Sequence, residues 1–312
     1  MSNILITGCA GFIGFSTAIK LLQKRNKIIG VDNLNNYYNK NFKNLRIQTL
    51  KKNKNFLFYK IDINNFNELI KISKKHKFDK IIHLAAQPGV QYSFKNPKSY
   101  LKNNIDGFLN ILELAKKIKC KHLLFGSSSS VYGLNKKFPF KESHNVDHPI
   151  SIYSMTKRSN ELMAHSYSHN FKIPITGLRF FTVYGPYGRP DMSVLKFINN
   201  IYNKKKIPIY NFGNNIRDFT FIDDIVDRIV SLLHKIPKSS KNTKNNKPNS
   251  FSSSIRLLNI GTSNTISINR LIFLIETNLG IKSKKIFYPK LKGDVEKTLA
   301  DNSNIKKIVN KS

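Results

Sequence analysis

The chain has 312 residues, 40% of them hydrophobic, enough for one large or two moderate domains around a sizeable core. Its formal charge is +35, from 53 Lys+Arg against 18 Asp+Glu, but the lysines are spread along the whole chain in Lys/Asn-rich stretches and few of the cations are Arg. This argues for a solvated basic surface and against a specific nucleic-acid site. No apolar run approaches the roughly 18 residues of a membrane helix, no leader precedes the first strand, and Cys9 and Cys120 make no disulfide framework; a cytoplasmic protein without a membrane partner is expected.

The first predicted element is the strand over 3–7, which enters the turn Gly8-Cys9-Ala10-Gly11-Phe12-Ile13-Gly14. Apolar residues then recur at helical spacing: Phe12, Ile13, Ala18, Ile19, Leu21 and Leu22. A glycine at each of 8, 11 and 14 suits a tight turn, close approach of backbone to a phosphate, and close helix–strand packing. A helix N-terminus facing that turn is an anion site. A second short apolar run, 27–31, ends in Asp32. An acid about 20 residues beyond such glycines accepts from ribose hydroxyls and repels a 2′-phosphate, so NAD is expected rather than NADP.

The pattern continues with a strand over 55–61 ending at Asp62-Ile63, a helix over 65–76, and an apolar strand over 79–86 that ends in the small residues Ala85-Ala86. A helix over about 98–118, a strand over 122–126 running into Ser127-Ser128-Ser129-Ser130, a helix over about 154–170 and a strand over 173–180 follow. Repeated strand–helix units with apolar strands imply an α/β fold, a doubly wound parallel sheet of Rossmann type, with ligands beyond the carboxyl ends of its strands. Past residue 180 loops and Pro increase, with helices near 194–202 and 222–234. The stretch 237–254 is Lys/Asn/Ser-rich and reads as an exposed loop. The expected division is residues 1–180 for the dinucleotide and 181–312 mainly for the substrate.

Tyr153 and Lys157 stand four residues apart, on one face of a helix. An ammonium beside a phenol, near a nicotinamide cation, lowers the phenol pKa, and a phenolate takes a proton from a hydroxyl as its carbon is oxidised. The spacing alone also fits a solvated helix pair. Its position about twenty residues after a serine run at a strand end supports the catalytic reading, with Ser128 placed to hydrogen-bond the same substrate oxygen.

Together the three glycines, Asp32, Asp62-Ile63, His83-Leu84-Ala85-Ala86-Gln87, the serine run ending in Val131-Tyr132-Gly133, and Tyr153-x-x-x-Lys157 resemble the extended short-chain dehydrogenases/reductases that act on nucleotide sugars. The stretches 31–38, 85–93, 178–192 and 217–224 are similar to those of the UDP-glucuronate 4-epimerases. The resemblance covers almost the whole chain. It implies that Gly8, Gly11, Phe12, Ile13 and Gly14 hold the pyrophosphate of NAD, Asp32 and Asn33 the adenosine ribose, and Asp62 and Ile63 the adenine side. Leu84, Ala85, Ala86 and Gln87, with Asn104 and Phe181, would line the nicotinamide half. Ser128, Tyr153 and Lys157 would be catalytic, with Ser130 sharing the serine role. Thr182 and Arg217 would address the UDP-sugar, and Arg189 its carboxylate, since a guanidinium fork matches that group.

The implied reaction is 4-epimerisation of UDP-glucuronate to UDP-galacturonate through a 4-keto sugar, as used in surface-polysaccharide synthesis. UDP-glucose or UDP-N-acetylglucosamine epimerisation and UDP-glucuronate decarboxylation are the alternatives. Ser128-Ser129-Ser130-Val131-Tyr132 has no acid after the catalytic serine, where dehydratases usually carry one. Relatives commonly dimerise through the two long helices that precede and contain Tyr153, so a homodimer is expected. Two departures stand out: Leu291-Lys292 precede Gly293-Asp294 where the family usually has Pro, and the chain stops at Ser312, about a helix short of family members.

Overall fold

Short apolar runs alternate with amphipathic stretches, and this order of elements is kept in the computed structural model, which describes residues 2–239 and 253–309. The chain begins β1 (Asn3–Thr7), α1 (Phe12–Gln23), β2 (Lys27–Asp32), α2 (Lys40–Lys51), β3 (Phe56–Lys60), α3 (Phe66–His76), β4 (Lys80–His83), α4 (Val90–Lys95) and α5 (Pro97–Tyr100). A wide turn, Leu101–Asp106, leads into α6 (Gly107–Lys117), followed by β5 (His122–Ser128), α7 (Ile152–Phe171) and β6 (Ile175–Phe180). The later part contains β7 (Thr182–Tyr184), α8 (Ser193–Tyr202), β8 (Lys206–Tyr210), β9 (Ile216–Phe221), α9 (Ile222–His234), β10 (Ile255–Ile260), β11 (Thr265–Ser267), α10 (Ile268–Leu279), β12 (Lys284–Tyr288) and α11 (Ser303–Val309).

Seven strands form one parallel sheet in the order β10-β6-β5-β4-β1-β2-β3. Alternation along each strand sends side chains to opposite layers. Ile4 and Ile6 join α1 and α9 on one side, while Leu5 joins α3, α6 and α7 on the other. The strand order reverses between β1 and β4, which opens a crevice at their carboxyl ends. Residues beyond 180 serve more than one layer. β10 extends the main sheet beside β6 and α9 packs against α1, whereas α8, α10 and β8 enclose a small separate core around Phe197, Ile207 and Ile272.

Two expectations are revised, and one helix was not expected at all. The helix over 98–118 is interrupted by the π-type segment Leu101–Asp106, which places Asn104 inward. The strand expected over 122–126 continues to Ser128, so the first two serines are strand residues. Helix α2 carried no sequence signal, because the residues it buries include Lys43 and Arg46. The stretch 237–254 falls mostly on residues outside the described set.

Candidate functional site

The turn after β1 is built on backbone contact. Gly8 has φ +75, and a Cβ there would meet the Ala85 nitrogen at 2.6 Å; a Cβ on Gly14 would collide with the Gly8 carbonyl. Among the described residues no side chain caps α1, whose N-cap is Gly11. The first N–H groups of α1, at Phe12, Ile13 and Gly14, therefore face the crevice as free donors.

Asp32 ends β2 with its carboxylate accepting from the Ala10 N–H (3.1 Å) and the Leu34 N–H (2.8 Å). Burial raises its pKa, and nearby Lys43 opposes that. Asn33 donates to Asp62 (3.0 Å). Ile63 lines the crevice, but Asp62 faces a shallow hollow beside it with Asn64 and Lys102. Leu84, Ala85 and Ala86 form the wall beyond β4. Gln87 and Asn104 lie beneath that wall, both buried. Asn104 accepts from the Gln87 N–H (2.7 Å) and donates to the Gln87 carbonyl (3.1 Å) and to Thr156 (3.0 Å), tying the wall to α7.

Helix α7 starts in a reciprocal cap: the Ser154 N–H donates to Ser151 (3.1 Å) and the Ser151 N–H to Ser154 (3.0 Å). This fixes Tyr153 in the first turn and Lys157 one turn later. Lys157 is buried and donates to the Gly126 carbonyl at 2.7 Å. Burial pushes its pKa down to about 8, with Glu161 opposing. Burial also pushes the Tyr153 phenol up, against a hydrogen bond with Ser128 and the charge of Arg189. The Ser128 hydroxyl accepts from the Ser130 N–H (3.2 Å) and the Ser130 hydroxyl (3.0 Å). Beneath them Glu161 accepts from Ser127 (2.7 Å) and pairs with Arg179 (2.8 Å), both members 1% exposed. That pair fixes α7 against the ends of β5 and β6.

Across the crevice stand Phe181, Thr182, Arg189 and Arg217. Arg189 is held by Asp191 through Nε (3.0 Å) and Nη2 (2.5 Å), and Asp191 also accepts from Tyr37 (3.3 Å). Arg217 is committed to Asp294 (2.7 Å) and to the carbonyls of Ile216 and Glu296 (both 3.0 Å). One cavity thus joins the glycine turn, Asp32, the serines, Tyr153, Lys157, Arg189 and Arg217. Sequence reasoning missed Tyr37, Lys43, Asp191 and Asp294, which line the cavity or hold residues that do. Asp191 stood inside a stretch already singled out, two residues from Arg189, where a carboxylate partner was legible.

The residues fit a dinucleotide: an uncapped helix N-terminus behind a turn that excludes Cβ atoms, a strand-end carboxylate, and a small-residue wall toward Tyr153. Fold and site define a nucleotide-dependent enzyme of the short-chain dehydrogenase/reductase class. The family model described as GDP-mannose 4,6 dehydratase matches residues 5–310, and the chain belongs to that extended family. It is 44% identical over 301 residues to protein CapI of Staphylococcus aureus, covering 96% of this chain and 90% of that one. It is 42% identical to UDP-glucuronate 4-epimerase of Thermodesulfobacterium geofontis, covering 99% and 91%. Among solved structures, UDP-glucuronic acid 4-epimerase of Bacillus cereus, in complex with UDP-glucuronic acid and NAD, superposes with TM-score 0.88 at 35% identity, covering 99% and 93%.

Proposed function

We propose that the chain is an NAD-dependent UDP-sugar 4-epimerase that interconverts UDP-glucuronate and UDP-galacturonate. The observation that carries this reading is the meeting of Ser128, Tyr153 and Lys157 with Arg189 in one cavity that runs back to the glycine turn. Gly8, Gly11, Phe12, Ile13 and Gly14 hold the pyrophosphate, Asp32 and Asn33 the adenosine ribose, and the wall at Leu84, Ala85 and Ala86 the nicotinamide half. Bound NAD supplies a reversible hydride acceptor at the sugar C4.

Tyr153 takes the proton of the C4 hydroxyl, with Ser128 sharing the hydrogen bond to that oxygen. The Lys157 ammonium stabilises the phenolate. The 4-keto sugar turns over in the cavity, so that hydride would return to the opposite face of C4 and invert it, while Tyr153 gives the proton back to the C4 oxygen. A 4-keto uronate is a β-keto acid, and it loses CO2 when its carboxylate bond aligns with the carbonyl π system. Arg189 holds the carboxylate out of that alignment, with Asp191 fixing the guanidinium so that its outer edge meets the sugar. Thr182 and Arg217 address the UDP portion.

We further propose a cytoplasmic homodimer through α6 and α7, which present Leu109 (40% exposed) and Leu162 (55% exposed) to solvent. Both free cysteines are buried, and among the described residues no helix is long and apolar enough to cross a membrane.

The test is to incubate the purified chain with UDP-glucuronate, without added cofactor and then with NAD, and to resolve products by NMR and mass. A product of unchanged mass with inverted C4 is expected. Loss of CO2 assigns a decarboxylase instead, and turnover of UDP-glucose alone moves the substrate to a neutral sugar.

A further inference from the structure

All seven strands of the main sheet start at the same end of the molecule, opposite the catalytic crevice, because the sheet is parallel throughout. The segments that enter those strands therefore lie side by side across a face about 29 Å wide, six strand spacings of roughly 4.8 Å. Four of them, residues 24–27, 51–54, 74–80 and 116–121, contain fourteen Lys or Arg and one acid, Asp79, which pairs with Lys121. Over the whole chain the ratio is 53 to 18, so this end is enriched beyond the general excess of lysine. Helix dipoles account for a cation in the last turn of each helix, but the surplus continues into the loops and onto the first residues of strands, as at Lys27 and Lys80.

The segments also act on one another. Burial, followed by the charges of Lys27 and Lys75, holds the His76 imidazole below its ordinary range. Burial, followed by Lys80 and Lys24, does the same at His234. Lysines from different segments thus share one field.

From this we infer that the strand-entry end is a docking face for an anionic lipid bilayer. Thirteen of the fourteen cations are lysines, point charges that suit a diffuse negative surface rather than the forked geometry of base or phosphate recognition. Two exposed apolar side chains, Phe171 (45%), the last residue of α7, and Ile236 (41%), two residues past the end of α9, stand at the same end. They offer shallow anchors of the kind an interface takes up. An aromatic series on which successive bases stack is not present among the described residues of this face. Docking by this end leaves the crevice, at the opposite ends of the strands, open to water. The inference does not rest on the proposed reaction.

The experiment is flotation of the full chain with vesicles of phosphatidylcholine alone and of equal parts phosphatidylcholine and phosphatidylglycerol. Binding to the anionic vesicles only is expected, falling steeply between 0.05 and 0.5 M NaCl. The triple reversal Lys24→Glu, Lys75→Glu, Lys117→Glu should weaken it at least about a hundredfold, the loss from removing three lysines at the usual strength near an anionic leaflet before the added repulsion counts. The reversal Lys205→Glu, Lys282→Glu, Lys284→Glu, equal in charge but on the small second core, should change it less than about threefold. Both triples should keep the melting temperature and the solution activity of the parent. Equal loss in the two triples reduces the effect to net charge and overturns the inference. So does absence of vesicle binding by the wild-type chain, or displacement from vesicles by poly(U) at equal phosphate, which reassigns the face to RNA.

Discussion

Two demands on Lys157 conflict. The chemistry wants an ammonium beside Tyr153, whereas the site removes that ammonium from water and gives it the Gly126 carbonyl at 2.7 Å. The folded pKa, about 8, lies below the ordinary value near 10.4. Between those values the unfolded chain holds more protons than the folded one, so stability rises with pH across the window and the full penalty applies below pH 8. Replacing Lys157 with Met should abolish turnover yet stabilise the fold at pH 7 by about 2 kcal/mol, after allowance for the lost hydrogen bond. Melting curves at pH 7 and pH 10 check this, and a gap that does not shrink at pH 10 contradicts it. Arg189 sits under a different constraint, because Asp191 already occupies its Nε–Nη2 edge. Arg189→Ala should raise KM for UDP-glucuronate about 30-fold, the worth of a charge-assisted pair of bonds, and leave UDP-glucose turnover nearly unchanged. A new product lacking CO2 should accompany the change. An equal effect on both sugars would remove Arg189 from carboxylate recognition.

Among elements, the turn from β1 into α1 carries the sharpest local requirement. The Cβ of an alanine at 14 would overlap the Gly8 carbonyl and press on Cys9 Cα at 3.2 Å. Backbone cannot yield there as a flexible side chain would, so Gly14→Ala should cost at least about 2 kcal/mol and release NAD during purification. Gly280→Ala, at φ +65 with nothing among the described residues within 4 Å of its Cβ, should cost only about 1 kcal/mol of backbone strain and keep the cofactor. Absorbance of bound NAD and denaturant midpoints separate the two. This contrast also shows what was legible in the sequence. Glycine spacing, apolar strands and the Tyr153–Lys157 interval are local patterns, and they located β1 through β6 and the meeting of Ser128, Tyr153 and Lys157 in one cavity. Helix α2 was hidden because Arg46, 1% exposed, is satisfied by the distant carbonyls of Ala10 and Tyr187 rather than by apolar neighbours. The wide turn at Asn104 was hidden because its cause is tertiary: Asn160 donates to its carbonyl at 2.6 Å and Gln87 engages its side chain. The small strands β8, β9, β11 and β12 pair across long gaps in sequence, where periodicity over three to six residues has little to say.

At the scale of the molecule, acid should act through two buried histidines and through net charge, and the two can be separated. His83 accepts or donates one bond, with Thr7 at 2.7 Å, and His122 is held by Thr176 at 2.8 Å. Burial is the main cause that pushes each imidazole down to about 3. Both are neutral in the folded chain at pH 7, while in the unfolded chain they protonate near 6.5. The unfolded state therefore binds more protons between pH 6.5 and about 3, and stability falls as pH is lowered through that window. At pH 4.5 the loss is roughly 2–3 kcal/mol per histidine as an upper bound. Protonation of carboxylates adds to a charge that already stands at +35, and the self-repulsion grows as pH falls. Salt screens the second contribution and leaves the first, because the imidazoles sit beyond the reach of counterions. Urea midpoints at pH 7 and pH 4.5 should therefore converge only in part in 0.5 M NaCl. The double variant His83→Asn, His122→Asn should be less stable at pH 7 but show little further loss by pH 4.5 in that salt. A wild-type chain whose pH dependence vanishes completely in salt would assign the whole effect to surface charge and remove the histidines from it.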